Sequence, residues 1–182
     1  MRSTPRLQKT PGSDRSVRVS RSRDLPTKTA LLDELTALLS ADLDTRERAH
    51  KAALEGATHE EAKPENDKDT RALEQSYLAR GEALRIEELR QGLLAVRAVA
   101  RRAFAPAEPV TAGALVEIEQ DEVPSTVLLM PYGGGTRLAA GRVQVVTPQS
   151  PLGRALLGKR VGEACEVVLA GRTRALAVLA IA

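Results

Sequence analysis

From Ile86 to Ala100 the apolar residues Ile86, Leu89, Leu93, Val96 and Ala100 recur at spacings of three, four, three and four. A heptad seam of this kind belongs on a helix that packs lengthwise against another helix. A partner lies upstream. Leu32, Leu35 and Leu39 fall at i, i+3 and i+7, with Leu31 and Leu38 widening the stripe. The pattern continues through DTRERAHKAALEGA, which puts Ala49 and Ala53 on the inner side and Gly56 at the terminus. Residues 58–70, THEEAKPENDKDT, hold one Pro and no strong apolar residue, so they read as a turn. Helix resumes near Asp67 or Asp69, where an acidic N-cap suits the helix dipole. No third periodic segment is available to cover the pair, so the pattern predicts a projecting antiparallel hairpin. Each arm of about 30 residues spans roughly 45 Å. Toward the tip the seam positions are Ala72, Gln75, Ala79 and Glu82, small or polar, so the hairpin should be tight at its base and looser at its end. Pro106 and Pro109 are expected to close the second arm.

Composition agrees with a thin fold. The aromatics are Phe104, Tyr77 and Tyr132, with no Trp. Rings supply much of the buried area of a large core, so Leu, Val and Ala must do that here. Cys165 is the single cysteine, which rules out an internal disulfide and reads as a small buried hydrophobe on a strand. No apolar run approaches the roughly 20 residues that cross a bilayer, and the basic N-terminus lacks the apolar stretch of a secretory signal. A cytoplasmic protein with no membrane contact is expected.

The net charge of +3 hides an asymmetry. Arg2, Arg6, Lys9, Arg15, Arg18, Arg21, Arg23 and Lys28 stand against Asp14 and Asp24, eight cations to two anions, so the first 28 residues carry +6 and the remainder −3. Residues 1–27 are rich in Ser, Thr and Pro and read as a disordered basic tail. Such an arm contacts nucleic acid through counterion release, or serves only to keep the chain soluble.

Beyond the linker the periodicity changes. Residues 114–119 and 123–130 read as strands joined by the polar turn Gln120-Asp121-Glu122. Gly133-Gly134-Gly135 is a loop; no Lys-Ser or Lys-Thr pair follows it, which excludes a P-loop. Residues 143–146 form a strand. Ser150 caps a short helix with Pro151 at its first position, and Gly158 closes it. Residues 164–169 and 173–181 form a final hairpin through Ala170-Gly171-Arg172.

The run Ser150-Pro151-Leu152-Gly153, Ala155-Leu156-Leu157-Gly158-Lys159 and Val161-Gly162-Glu163 resembles the C-terminal domain of the bacterial Gre-type transcript cleavage factors and the related regulator Rnk. The resemblance covers roughly residues 115–181 and is weaker over the hairpin. It implies an α+β fold: a helical hairpin over 28–105 with its tip at about 58–69, then an FKBP-like antiparallel sheet with one short helix over 110–182. It also implies an accessory factor that is not itself an enzyme. Such a factor is expected to be a monomer that binds RNA polymerase and inserts the hairpin in the secondary channel. The Pro148, Ser150, Pro151 and Leu152 turn is the docking candidate by that resemblance.

In the family, two tip acids help hold the polymerase's second catalytic magnesium. Mg²⁺ takes hard oxygen ligands, often one or two carboxylates, and a second metal activates water for in-line displacement. The tip candidates here are Glu65, Asp67 and Asp69, beside Glu60 and Glu61. The pattern departs from the family's. Asn66 stands where an apolar residue is expected, Asp69-Thr70 replaces Asn-Ala, and Lys68 sits among the acids. Weak or absent cleavage stimulation is therefore expected. The chain needs no cofactor of its own; magnesium would be shared with the polymerase. His50 and His59, nine apart with no Cys nearby, are read as surface histidines rather than metal ligands. Without an aromatic-lined pocket, prolyl isomerase activity is not expected. The alternative is a coiled-coil interaction module whose basic tail contacts nucleic acid and which does not act on polymerase.

Overall fold

The computed structural model describes residues 25–57, 70–105 and 107–182. Residues 1–24 and 58–69, and with them the basic tail and the tip, lie outside it.

Two helices, α1 (Lys28–Ala57) and α2 (Thr70–Arg97), form the hairpin. At its base Leu31, Leu32, Leu35 and Leu39 of α1 bury against Leu89, Leu93 and Val96 of α2. The inner side changes character past Leu39. Ala49 and Ala53, expected inside, are exposed, while Leu43, Arg46, Glu47 and His50 are the half-buried positions. Arg46 donates to Asp42 on its own helix (3.0 Å) and to Glu82 across the pair (3.1 Å). Arg90 reaches Glu47 through two nitrogens, at 2.8 and 2.9 Å. The upper interface is thus ionic.

Helix α2 ends at Arg97, not at Pro106. The connector folds back on the start of α1 and is clamped there. Arg101 pairs with Asp33 at 2.5 Å, and Arg102 pairs with Glu108 at 2.6 Å. Lys28 and Arg102 lie against the Phe104 ring at 4.5 and 4.8 Å from its centroid, and the Lys28 ammonium donates to the Arg102 carbonyl. Tertiary ties, not a proline, set this boundary.

The sheet comprises β1 (Leu115–Gln120), β2 (Val123–Leu129), β3 (Arg137–Leu138), β4 (Val143–Val146), β5 (Ala164–Leu169) and β6 (Arg172–Ile181), with the short helix α3 (Pro151–Leu156) between β4 and β5. The spatial order is β3-β4-β2-β1-β6-β5. Four ladders are antiparallel, but β2 and β4 run parallel, Thr126 opposite Val143 and Leu129 opposite Val146. The sheet is therefore mixed where an antiparallel one was expected. The excursion through the triple glycine and β3 returns the chain to the starting edge of β2, which permits the parallel register. Two hairpins close on paired left-handed residues, Asp121-Glu122 (φ 48, 66) and Ala170-Gly171 (φ 49, 76), the geometry that matches strand twist.

The sheet separates two cores. One face packs on the hairpin base: Leu128, Met130, Leu138, Val143 and Val145 meet the leucines of α1 and α2. The other packs on α3: Val116, Ile118, Val127, Leu129, Val167, Leu176 and Val178 surround Leu156. Residues buried on one side alternate with residues buried on the other, as strand geometry requires.

Candidate functional site

The docking candidates sit at the start of α3. The Thr147 carbonyl accepts from both the Ser150 amide (2.9 Å) and the Ser150 hydroxyl (2.7 Å). The same hydroxyl accepts from the Gly153 amide at 3.0 Å, making Ser150 the N-cap. Pro151 follows at the first helical position, where no donor is wasted. Gly153 is where the backbones crowd. A Cβ there would lie 1.9 Å from the Thr147 oxygen. Leu152 packs against the α3 core, while Pro151 and Gln149 are exposed. Of the four candidates, Ser150 and Leu152 build the turn, and Pro148 and Pro151 contribute to its outer surface.

The far end of α3 fixes the linker. Gly158 donates to the Val110 carbonyl, and Val110 donates to the Lys159 carbonyl, each at 2.8 Å. Gly158 has φ +79, which only glycine adopts at little cost. So the segment that leaves the hairpin is sewn to the helix carrying the resemblance.

The hairpin is tied to the sheet at two more points. The Ala139 amide donates to both Glu34 oxygens, at 3.1 and 3.2 Å, holding α1 to the left-handed turn after β3. On the other helix the Tyr132 ring lies on Gly92, whose Cβ would meet ring atoms at 2.3 Å. Beside it a shallow groove of about 540 Å³ runs between α2 and Pro131-Tyr132, with Leu84 and Ala95 on its walls. Neither the Glu34 tie nor the Tyr132–Gly92 contact was anticipated; a lone Tyr in a glycine loop was the only sequence signal for the second.

Electrostatics along the hairpin follow the ion pairs. The hydrogen bond to Asp42, then that to Glu82, raises the pKa of Arg46. The bond to Glu47 does the same for Arg90. Gln91 and Arg90 hold Glu87 below the usual carboxylate range. At the clamp, burial and the neighbouring Arg102 lower the Lys28 pKa, while Arg102 and the Ala105 amide lower that of Glu108.

Glu65, Asp67 and Asp69 lie outside the described residues, as do Glu60, Glu61 and His59. Among the described residues no group of three His, Cys, Asp or Glu side chains gathers as a metal would need. His50 is half-buried on α1. Cys165 is half-buried and points its sulfur at the Ala155 carbonyl, 3.5 Å away. Among the described residues no helix is long and apolar enough to cross a membrane.

Residues 105–182 match the family model described as "Transcription elongation factor, GreA/GreB, C-term". This part of the chain is similar to the Gre family's C-terminal domain. No curated protein matches the chain by sequence. Among solved structures it is similar to GreA factor homolog 1 (Gfh1) of Thermus thermophilus, with 22% identity, 81% of this chain and 94% of that one covered, and a TM-score of 0.36. It is also similar to Gfh1 of Thermus aquaticus, at 21% identity over 80% of this chain and 92% of that one, TM-score 0.36. A GreA/GreB elongation factor from Nitrosomonas europaea shows 17% identity over 62% and 94%, TM-score 0.34. The likeness rests on the domain match alone, and the matched segment is preceded here by the helical pair.

Proposed function

We propose that this protein is an accessory factor of RNA polymerase that docks through its sheet domain and inserts the hairpin into the secondary channel. The observation that carries the reading is the Gre-family domain fastened to a helical pair at one end only. Among the described residues hydrophobic burial is confined to the base, which leaves the rest of the roughly 45 Å arm to enter a passage. The surface that would meet the polymerase is the turn of Pro148, Ser150, Pro151 and Leu152, stiffened by the Thr147 carbonyl. The tip acids Glu65, Asp67 and Asp69 would stand at the leading end; any magnesium they help hold belongs to the polymerase. Their departure from the cleavage pattern favours modulation of initiation or pausing over RNA cleavage.

The test is co-purification of the full chain with core polymerase, followed by transcript cleavage on a stalled, backtracked complex. Binding at low micromolar concentration with weak or absent stimulation of cleavage is expected. No binding overturns the reading. Robust magnesium-dependent cleavage that Glu65→Ala or Asp69→Ala abolishes overturns the non-cleaving part of it.

A second reading has its own observation. Tyr77, Leu78 and Leu84 of α2 and Leu54 of α1 are 47–74% exposed. In that reading they pair with another helical protein or a second copy. Light scattering decides: a dimer that persists at low concentration favours it, and a monomer counts against it.

A further inference from the structure

The core beneath the hairpin covers only part of the sheet. It draws on β2, β3 and β4, has Leu115 of β1 packed against it, and includes no residue of β5 or β6. The same face continues past Leu115. Val116, Ile118, Val167, Leu176 and Val178 turn toward α3, so alternation turns Glu117, Glu119, Glu166, Ala175, Ala177 and Val168 the other way. Register assembles them: Glu119 lies opposite Ala177, Ala175 opposite Glu166, and Val168 opposite Thr173. Glu166 and Ala175 are exposed, and Val168 is 60% exposed. The result is a shelf of small apolar side chains set among three carboxylates. It is about 10 Å across from β1 to β5, two interstrand spacings.

One segment of the chain complements it. Residues Arg15 to Arg23 read R-S-V-R-V-S-R-S-R, with no acid among them. With extended backbone, Arg15, Val17, Val19, Arg21 and Arg23 share one side, apolar at the middle and cationic at both ends. The attachment point borders the same core. Leu25 packs against the hairpin core, as Leu115 does, and Glu117 is two residues, roughly 7 Å, beyond Leu115 on the same face. Nine extended residues reach about 30 Å, ample for the shelf. A short tether also holds the segment at an effective concentration on the millimolar scale, so modest attraction suffices.

We propose that the shelf formed by Glu117, Glu119, Glu166, Ala175, Ala177 and Val168 is an intramolecular docking site for the chain's own basic segment Arg15–Arg23. The proposal is independent of polymerase binding. Its test is trypsin cleavage after Arg15, Arg18, Arg21 and Arg23 in the full chain, followed by mass spectrometry beside a synthetic peptide of residues 1–24. At low salt the chain is cleaved at least about threefold more slowly than the peptide, and the two rates converge near 0.5 M salt as screening shortens the reach of the charges. The combined Glu117→Gln, Glu119→Gln and Glu166→Gln variant loses the protection while keeping its helical circular dichroism. The wild-type salt series needs no variant, so the test survives a folding failure. Equal rates at low salt overturn the proposal. So does protection that the folded triple variant retains. Protection that arises only when duplex DNA is added overturns it too, and assigns the segment to nucleic acid.

Discussion

Replacing Gly153 by Ala tests whether α3 is held by the Thr147 carbonyl. On an open helix this change stabilises by up to about 1 kcal/mol, because glycine loses more backbone freedom on folding. The structure gives the opposite sign. The added Cβ would stand 1.9 Å from the Thr147 oxygen and 2.7 Å from its carbon, well inside contact distance. Relief requires the carbonyl or the helix to move by more than an ångström. That carbonyl accepts two hydrogen bonds from Ser150, each worth about 0.5–1.5 kcal/mol, and the cap they orient is worth about 1 kcal/mol. Overpacking of this kind costs about 1–3 kcal/mol. After the propensity gain, a net loss of about 2–4 kcal/mol is expected. At about 2–4 °C per kcal/mol for a chain of this size, the melting temperature falls by roughly 10 °C. Urea unfolding followed by circular dichroism measures it. Gly81→Ala is the control, since nothing lies within 4 Å of a Cβ there, and it should be stabilising. A Gly153→Ala protein as stable as wild type would refute the argument.

Three further outcomes follow from contacts described above. Gly92→Ala should cost about 1–3 kcal/mol by driving Tyr132 off α2, and adding Tyr132→Ala should recover part of the loss; additive costs in the double-mutant cycle would contradict the contact. Arg46→Ala and Glu82→Ala should be coupled at low salt and uncoupled near 1 M salt, where the Debye length is about 3 Å; coupling unaffected by salt would deny the ionic character of the upper interface. Burial raises the Glu117 pKa, so the folded state holds that proton more tightly than the unfolded state and Glu117 costs stability as pH rises from its ordinary value, about 4.3, through the raised one. Near 0.5 M salt, where the attraction of the basic segment proposed above is screened, Glu117→Gln should therefore gain on wild type across that window and hold the gain above it; a difference between the two proteins that does not change with pH would contradict the desolvation argument.

Much of the sheet domain was legible because its punctuation is local. Residues 143–146 and 164–169, the Ser150 cap, Pro151 at the first helical position and Gly158 at the close are each set by residues within one turn. The misses are tertiary. The two-residue β3 is too short to show a period, and the parallel β2–β4 ladder depends on where a glycine loop returns the chain. The end of α2 depends on Asp33, Glu108 and Lys28 rather than on any nearby breaker. In α1 the seam does continue beyond Leu39, but with Leu43, Arg46 and His50, and the neighbouring alanines drew the apolar reading to the wrong face. The Ser150 cap at the start of α3 was readable from its spacing; the crowding at Gly153 was not, because it is made by a carbonyl six residues earlier.

Because the helical pair is bolted to the sheet at one end, it behaves as a lever. Its seat is set by Leu31, Leu35, Leu89 and Leu93 against Leu128, Met130 and Val143, with Glu34 and Tyr132 as stops. A tilt of about 10° at that seat sweeps the far end of a 45 Å arm through roughly 8 Å. The far end of α1 is therefore aimed by side chains a helix length away, and a methyl group lost at the base is felt first as an error of position at the other end.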